Sequence, residues 1–480
     1  MPNAIDIGAI SDTHFDLVII GSGFGASFYL HRILERQGSA RILVLEWGRH
    51  RSHEWQISQS RHGDIAASQT YRSNADKPWN FTIGMGGGTN CWFAQTPRFH
   101  PSDFELRSRY GVGADWPIDY AELEPYYVAA ENIMSVSGDP NMATMFPRSA
   151  PFPQAPHRMT APDRLMANAQ PAQHFAMPTA RARIATEGRP ACCASFRCTL
   201  CPVDAKFTLN NGMIGIYDDP AVTLALNARV THLETNGSAV QVAIVESGGR
   251  KIRVRGDRFV LGANAIHSPA ILTRSGMGGG LTGRGLHESY GCHVEVLLDG
   301  LDNFDGSTIT TGLNLGLYDG PHRSQAGAAL VYFENRWTHG LRALPRRMRQ
   351  TLPLMIVTEE LVEDRNHVTV SDDGTPVVHY AGASDYAVRG QKRAIDKLGE
   401  LLAPLPVEDI IFRSQRPTES HLQGTLRMGR DAATSVVDAA QIHHRWRNLT
   451  VVGTSVFPTC SSMNPSLTAA ALSLRAADMT

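Results

Sequence analysis

The sequence has no excess of charge of either sign. Its 45 lysines and arginines stand against 46 aspartates and glutamates, a formal net charge of −1. No basic field is available for nucleic acid or for an anionic membrane surface. No apolar run is long enough to span a bilayer. The opening MPNAIDIGAISDTHFD has no basic start followed by an apolar core, and no twin-arginine signal is present. A cytoplasmic protein is therefore expected, unless a partner with its own signal carries the chain out. Cysteine is scarce: seven in 480 residues, an odd number with four crowded at 192, 193, 198 and 201. That is no disulfide framework. Internal repeats and low-complexity segments are also missing, and the length predicts two lobes around a large core.

What is present begins with residues 16–46, DLVIIGSGFGASFYLHRILERQGSARILVLE. Leu17 to Ile20 read as a strand buried on both faces. Gly21-Ser22-Gly23-Phe24-Gly25-Ala26 is a tight turn feeding a helix to about Gln37, and Ile42 to Leu45 form a second strand ending on Glu46. This is a dinucleotide-binding pattern. Gly21 permits the turn, Gly23 lets backbone amides approach a pyrophosphate, and Ala26 allows close helix–strand packing. The helix N-terminus attracts the phosphates, and Glu46 can accept hydrogen bonds from ribose hydroxyls.

Residues 1–15 read as an arm before the first strand, and 49–77 as loops and short helices. Gly86-Gly87-Gly88, followed by Thr89-Asn90-Cys91-Trp92 and ending at Arg98-Phe99, implies backbone pressed against something flat or anionic. Asp119 is an N-cap with Glu122 as its capping-box partner. Between 290 and 410, strands at 308–317, 328–334, 354–360 and 367–370 precede a helix over 387–402.

These motifs, taken with Phe259 to Leu272, His421 to Gly429, Asn448 to Ser455 and Asn464 to Ala469, resemble the glucose-methanol-choline (GMC) flavoprotein oxidoreductases over nearly the whole chain. Asn264 stands where that family usually has glycine. Within the family the pattern is nearest to pyranose 2-oxidase and the flavin-dependent sugar dehydrogenases. The resemblance implies an α/β fold, with a Rossmann-like FAD-binding lobe and an antiparallel-sheet substrate lobe, in the GMC/p-hydroxybenzoate-hydroxylase architecture. It assigns 1–135, 186–289 and 413–480 to the FAD lobe, 290–412 to the substrate lobe, and 136–185 to a lid or oligomerisation arm.

The implied activity is oxidation of a CH–OH group of a sugar or sugar-like polyol, with hydride passing to FAD. His421 matches the family's base and Asn464 its hydrogen-bonding partner; an imidazole suits this work because its pKa lies near neutrality. FAD contacts are implied for Gly21, Gly23, Phe24, Gly25, Ala26, Glu46, Gly86, Gly87, Gly88, Thr89, Asn90, Cys91, Trp92, Val230, Ala263, Gly453, Thr454, Pro465 and Thr468. Cys91 replaces a histidine that tethers the flavin in pyranose 2-oxidase, which excludes a histidyl tether here; non-covalent FAD is expected, with a cysteinyl link as the alternative. Cys192, Cys193, Cys198 and Cys201 resemble the segment holding a [3Fe–4S] cluster in flavin-dependent glucose dehydrogenases, although only two residues separate the last pair here. Free thiols are the first expectation and the cluster the alternative. The electron acceptor is oxygen or another carrier. The chain is expected to act as a homo-oligomer, with a partner subunit if it is an electron-transferring dehydrogenase. A flavin-containing lyase of the hydroxynitrile lyase type is the rival activity.

Overall fold

The run Leu17 to Ile20 is buried on both faces, as a strand inside a parallel sheet must be. It closes β2 (His14–Ile20), which pairs in parallel with β3 (Ile42–Leu45) and with the end of β9 (Arg250–Leu261). The computed structural model describes residues 4–36, 40–335 and 347–480. The helix joining β2 to β3 spans Phe24–Glu35, and its expected end at Gln37 lies outside the described residues. From this centre an eight-stranded sheet extends in the order β1 (Ala4–Ile5), β6 (Val222–Ala225), β3, β2, β9, β8 (Ala239–Ser247), β7 (Arg229–Asn236). The eighth strand, β17 (Leu449–Val451), lies off this path and pairs in parallel with the last residues of β9. The expected N-terminal arm is thus partly sheet: Ala4 and Ile5 pair with Leu224 and Ala225 and cover an edge that would otherwise be unpaired.

The helix Ser466–Met479 packs against both Phe24–Glu35 and Tyr120–Met134. Arg32 holds Asp478 in a two-pronged ion pair with N···O distances of 2.9 and 3.0 Å. Asp119 caps its helix by accepting from the Glu122 amide at 2.8 Å. The Glu122 carboxylate does not complete a capping box; it pairs instead with Arg475 of the C-terminal helix. A charge-assisted tertiary contact has displaced the local one.

The second sheet is antiparallel throughout, in the order β16 (Val407–Gln415), β10 (Tyr290–Leu298), β13 (Thr351–Thr358), β12 (Ala329–Glu334), β11 (Thr310–Asn314), β5 (His174–Ala176). Strand alternation gives it two different faces. Val294, Val296, Val331, Phe333, Leu354 and Ile356 form one core with Ala394 and Leu398 of the helix Asp385–Leu401. Tyr332, Met355 and Val357 point the other way, into the core shared with the first sheet. The register sets Tyr332 beside Met355 and Met355 beside His293, one row across three strands. Strand β5 comes from within 136–185, so that segment supplies an edge to this sheet. A third, small sheet joins β14 (His367–Val370), β15 (Pro376–His379) and β4 (Arg72–Ser73).

Candidate active site

A cavity of about 1100 Å³ runs from the glycine turn to the cavity-facing row of the second sheet. At one end the backbone itself forms the walls. Gly21 has φ +100°, and a Cβ there would sit 2.6 Å from the Gly262 carbonyl oxygen. At Gly25 a Cβ would come within 2.6 Å of the Gly453 nitrogen. Only glycine lets these turns touch. Gly23 and Gly87 face each other across the cavity wall: a Cβ on Gly87 would lie 2.8 Å from Gly23 Cα. Gly453, at φ +91°, has nothing within 4 Å of its Cβ position, so its bare backbone fronts open space.

Glu46 is buried, with 6% exposure. Its Oε2 accepts from the Ser22 amide (3.1 Å) and hydroxyl (2.7 Å), and its Oε1 from the Gly48 amide (2.8 Å). The carboxylate therefore already braces the turn while it lines the cavity. Phe24, Gly88, Cys91, Trp92, Val230, Ala263, Thr454 and Pro465 line it as well. Four of the expected contact residues use their side chains elsewhere. Thr89 Oγ1 donates to the Gly86 carbonyl, and Asn90 Nδ2 to those of Met85 and Gly87. Thr468 Oγ1 meets the Tyr127 hydroxyl at 2.8 Å, and the Ala26 methyl packs toward Gly262.

His421, Asn464 and Tyr332 meet at the other end. Tyr332 donates its O–H to Asn464 Oδ1 at 2.8 Å. This turns Asn464 Nδ2 toward His421 Nε2, 3.3 Å away. Nε2 is then the acceptor nitrogen, and Nδ1 carries the proton facing Ser289 Oγ at 3.3 Å. Burial, aided by the positive charges of Arg416 and Lys77, holds His421 down to about 3. The imidazole is therefore neutral, its Nε2 accepting from Asn464, and burial sets its pKa well below the near-neutral value expected from the sequence. His293, Glu334, Met355, Arg416 and Glu419 line the same end. Burial raises the Glu419 carboxyl to about 7.

Sequence reading missed these residues. Tyr332, Met355 and His293 look like ordinary strand positions until register aligns them. Also missed was the part of the cavity wall formed by residues 60–68 and 78–83. There the Nδ1 of His62 and the Nε1 of Trp79 are buried without a hydrogen-bond partner.

The cysteine-rich loop lies beside the cavity through Thr199. Cys198 is buried and its sulfur accepts from Arg181 Nη1 at 3.8 Å, whereas Cys193 is exposed. Cys201 Sγ accepts from the Ala205 amide at 3.3 Å, and Cys192 Sγ lies 3.7 Å from Thr308 Oγ1. Beneath them the buried Lys206 donates to the carbonyls of Asn90, Trp92 and Thr199, and burial lowers its pKa to about 8. Among the described residues, one group of three ligand atoms within 4.8 Å occurs, the surface set His14, Asp16 and Asp257. It contains no cysteine.

Comparison with known proteins agrees with this architecture. Residues 363–473 match the GMC oxidoreductase C-terminal family model. Among curated relatives, the fructose dehydrogenase large subunit of Gluconobacter japonicus is 27% identical, the alignment covering 96% of this chain and 97% of that one. Paromamine 6′-oxidase of Streptomyces fradiae is 28% identical over 97% and 91% of the two chains. Among solved structures, pyridoxine 4-oxidase from Mesorbium loti superimposes with a TM-score of 0.68 at 18% identity, covering 97% of this chain and 98% of that one. A formate oxidase does so with a TM-score of 0.66 at 15% identity, covering 98% of each.

Proposed function

We propose that this chain, which belongs to the GMC oxidoreductase family, oxidises a CH–OH group of a sugar or sugar-like polyol using non-covalently bound FAD, with His421 as the base. The observation that carries the reading is geometric: His421 and Asn464, in contact through Nε2 and Nδ2, line the same cavity as a dinucleotide-type glycine turn.

The cavity suits the cofactor. Gly453 presents bare backbone to it, and two buried nitrogens on its wall, His62 Nδ1 and Trp79 Nε1, have no protein partner. Gly21, Gly23, Gly25 and Glu46 would hold the adenosine and pyrophosphate half. Gly87, Gly88, Cys91, Trp92, Val230, Ala263, Gly453 and Thr454 would enclose the remainder. Burial pushes the Cys91 thiol up, away from the nucleophilic thiolate that a covalent link requires. FAD, when bound, supplies the hydride acceptor.

The protein does the rest. Asn464 Nδ2 holds the substrate hydroxyl, and His421 Nε2 takes its proton. Ser289 fixes the ring through Nδ1, and Tyr332 fixes the Asn464 amide. Residues 60–68 and 78–83 exclude water. The test is an anaerobic panel of sugars and primary alcohols mixed with the yellow protein. Bleaching by at least one carbinol is expected. No bleaching by any of them would defeat the reading and favour a lyase.

The cysteine loop supports a second reading, an electron-transferring dehydrogenase with an iron–sulfur cluster and a partner subunit. Burial first, and then the neighbouring sulfurs of Cys192 and Cys201, push the Cys198 thiol up, with the buried Lys206 and Arg181 close by. Such a setting would stabilise an anionic cluster. Iron analysis of the purified protein decides: near-stoichiometric iron supports it, and iron-free, fully active protein removes it.

A further inference from the structure

The segment that carries His421 is held in a strained conformation. Ser420, one residue before it, has φ +61°, the left-handed region that a non-glycine residue rarely occupies. Such a conformation persists only where its surroundings over-determine it, and here one carboxylate does much of that. Glu288 is 5% exposed. Its Oε2 accepts from Thr418 Oγ1 at 3.0 Å and from the His421 amide at 3.3 Å, and its Oε1 accepts from the Glu419 amide at 3.2 Å. Both flanks of the strained residue are therefore tied to a single side chain.

The carboxylate is neutralised by Lys77, whose ammonium pairs with Oε1, lies 3.4 Å from the Pro417 carbonyl oxygen and sits 4.2 Å above the Trp79 ring. Glu288 belongs to a short segment running beside the 420s. The His287 and Gln423 backbones exchange hydrogen bonds of 3.2 and 3.1 Å, and Ser289 contacts His421 Nδ1. Three consecutive residues thus lock three features: the path of the chain, its strained turn and the orientation of the imidazole. Residues 416–419, gripped in this way, also form the wall between the main cavity and a smaller one of about 330 Å³ that Lys77, Glu288 and Tyr380 line.

We propose that Glu288, with Lys77 as its counter-charge, is the positioning residue for the His421 base, keeping Nε2 aimed at the substrate hydroxyl. The proposal rests on the assignment of His421 as base, so the test carries one arm that does not depend on it. In the FAD-loaded protein, Glu288→Gln preserves size but removes the charge and one acceptor atom, and Glu288→Asp keeps the charge. The probe is whichever alcohol of the panel bleaches the wild-type flavin fastest. Glu288→Gln is expected to lower the limiting reduction rate about 10- to 100-fold, the scale of a small misplacement of a reacting group. The half-saturating concentration should stay within about threefold, with flavin content unchanged. Glu288→Asp is expected to recover part of the rate.

The independent arm is deuterium uptake. Glu288→Gln should quicken exchange in a peptide covering 416–424, which contains the Glu419 and His421 amides, and leave 21–35 as in wild type. An unchanged limiting rate overturns the proposal, as does a loss matched by loss of flavin, or unaltered exchange in 416–424. If no alcohol bleaches the wild type, the base assignment fails with the oxidoreductase reading, and the proposal fails with it. Bleaching by an alcohol together with normal rates in Glu288→Gln defeats the positioning role alone.

Discussion

The two ends of the cavity are built in opposite ways. At the dinucleotide end, thirty-one consecutive residues, 16–46, supply strand, turn, helix and acid, and most of the work is done by backbone. At the imidazole end, Tyr332, Met355 and His293 come from three strands, Asn464 from the start of the last helix, and Ser289 and Glu288 from a connection more than a hundred residues before His421. The first end depends on close backbone approach, with no room for a Cβ at Gly21 or Gly25; the second depends on side chains held in place by one another. Its side chains orient one another in series, from Tyr332 to Asn464 to His421 to Ser289, so an error at one is passed to the next.

The contrast is broken most severely at Gly25. Gly25→Val would drive a side chain into the Gly453 backbone, 2.6 Å from where its Cβ must sit. The expected outcome is no soluble, yellow protein, because neither backbone can move aside. A folded Gly25→Val holoenzyme would remove the close-approach argument.

His421→Ala leaves the glycine end untouched and should retain flavin while losing about a hundredfold or more in the limiting rate of anaerobic reduction, the scale of general-base loss. A rate within about threefold of wild type would show that the base lies elsewhere.

Acid should then weaken both ends together. Burial, with Arg274 and Arg229 nearby, holds His267 down to about 3, and burial holds His287 down to about 4, both against 6.5 for a free imidazole. Below pH 6.5 the unfolded chain binds protons that these folded histidines refuse. Stability is therefore complete above that pH and drains as pH falls toward 4, by about 1.4 kcal/mol per unit for each histidine. Thermal unfolding midpoints at about pH 7 and about pH 5 should differ, and His287→Gln should shallow the slope. Equal midpoints would contradict the buried neutral state.

Gly23→Ala should have the smallest effect. Its backbone is extended and its Cβ would meet only Gly87 Cα at 3.8 Å, so the protein should fold. The methyl group would crowd the cofactor and weaken FAD binding about tenfold, ~1.4 kcal/mol, measured by fluorescence titration. Unchanged affinity would mean that this turn does not touch the dinucleotide.

Much of the fold was legible because its signals are local. The buried run 17–20 and the strands around 329–334 and 367–370 stand close to where the sequence pattern puts them. Signals that depend on a distant partner were misread. Ala4–Ile5 became a strand only because β6 left an edge beside it. Glu122 turned to Arg475 rather than completing its cap. The contact between the Thr468 and Tyr127 hydroxyls, 2.8 Å apart, is likewise one that no local pattern announces.

By itself the sequence determined the strand, glycine turn, helix and strand at residues 16–46, since glycine's freedom and strand periodicity are properties of adjacent residues. It also singled out, through their motifs, His421 and Asn464, which the fold brings within 3.3 Å of each other. The tertiary structure alone decided which nitrogen of His421 accepts, that its pKa is held down by burial, and that Glu288 grips its backbone. Each of these follows from distance and dielectric between groups far apart in the chain, and neither can be read from spacing along it.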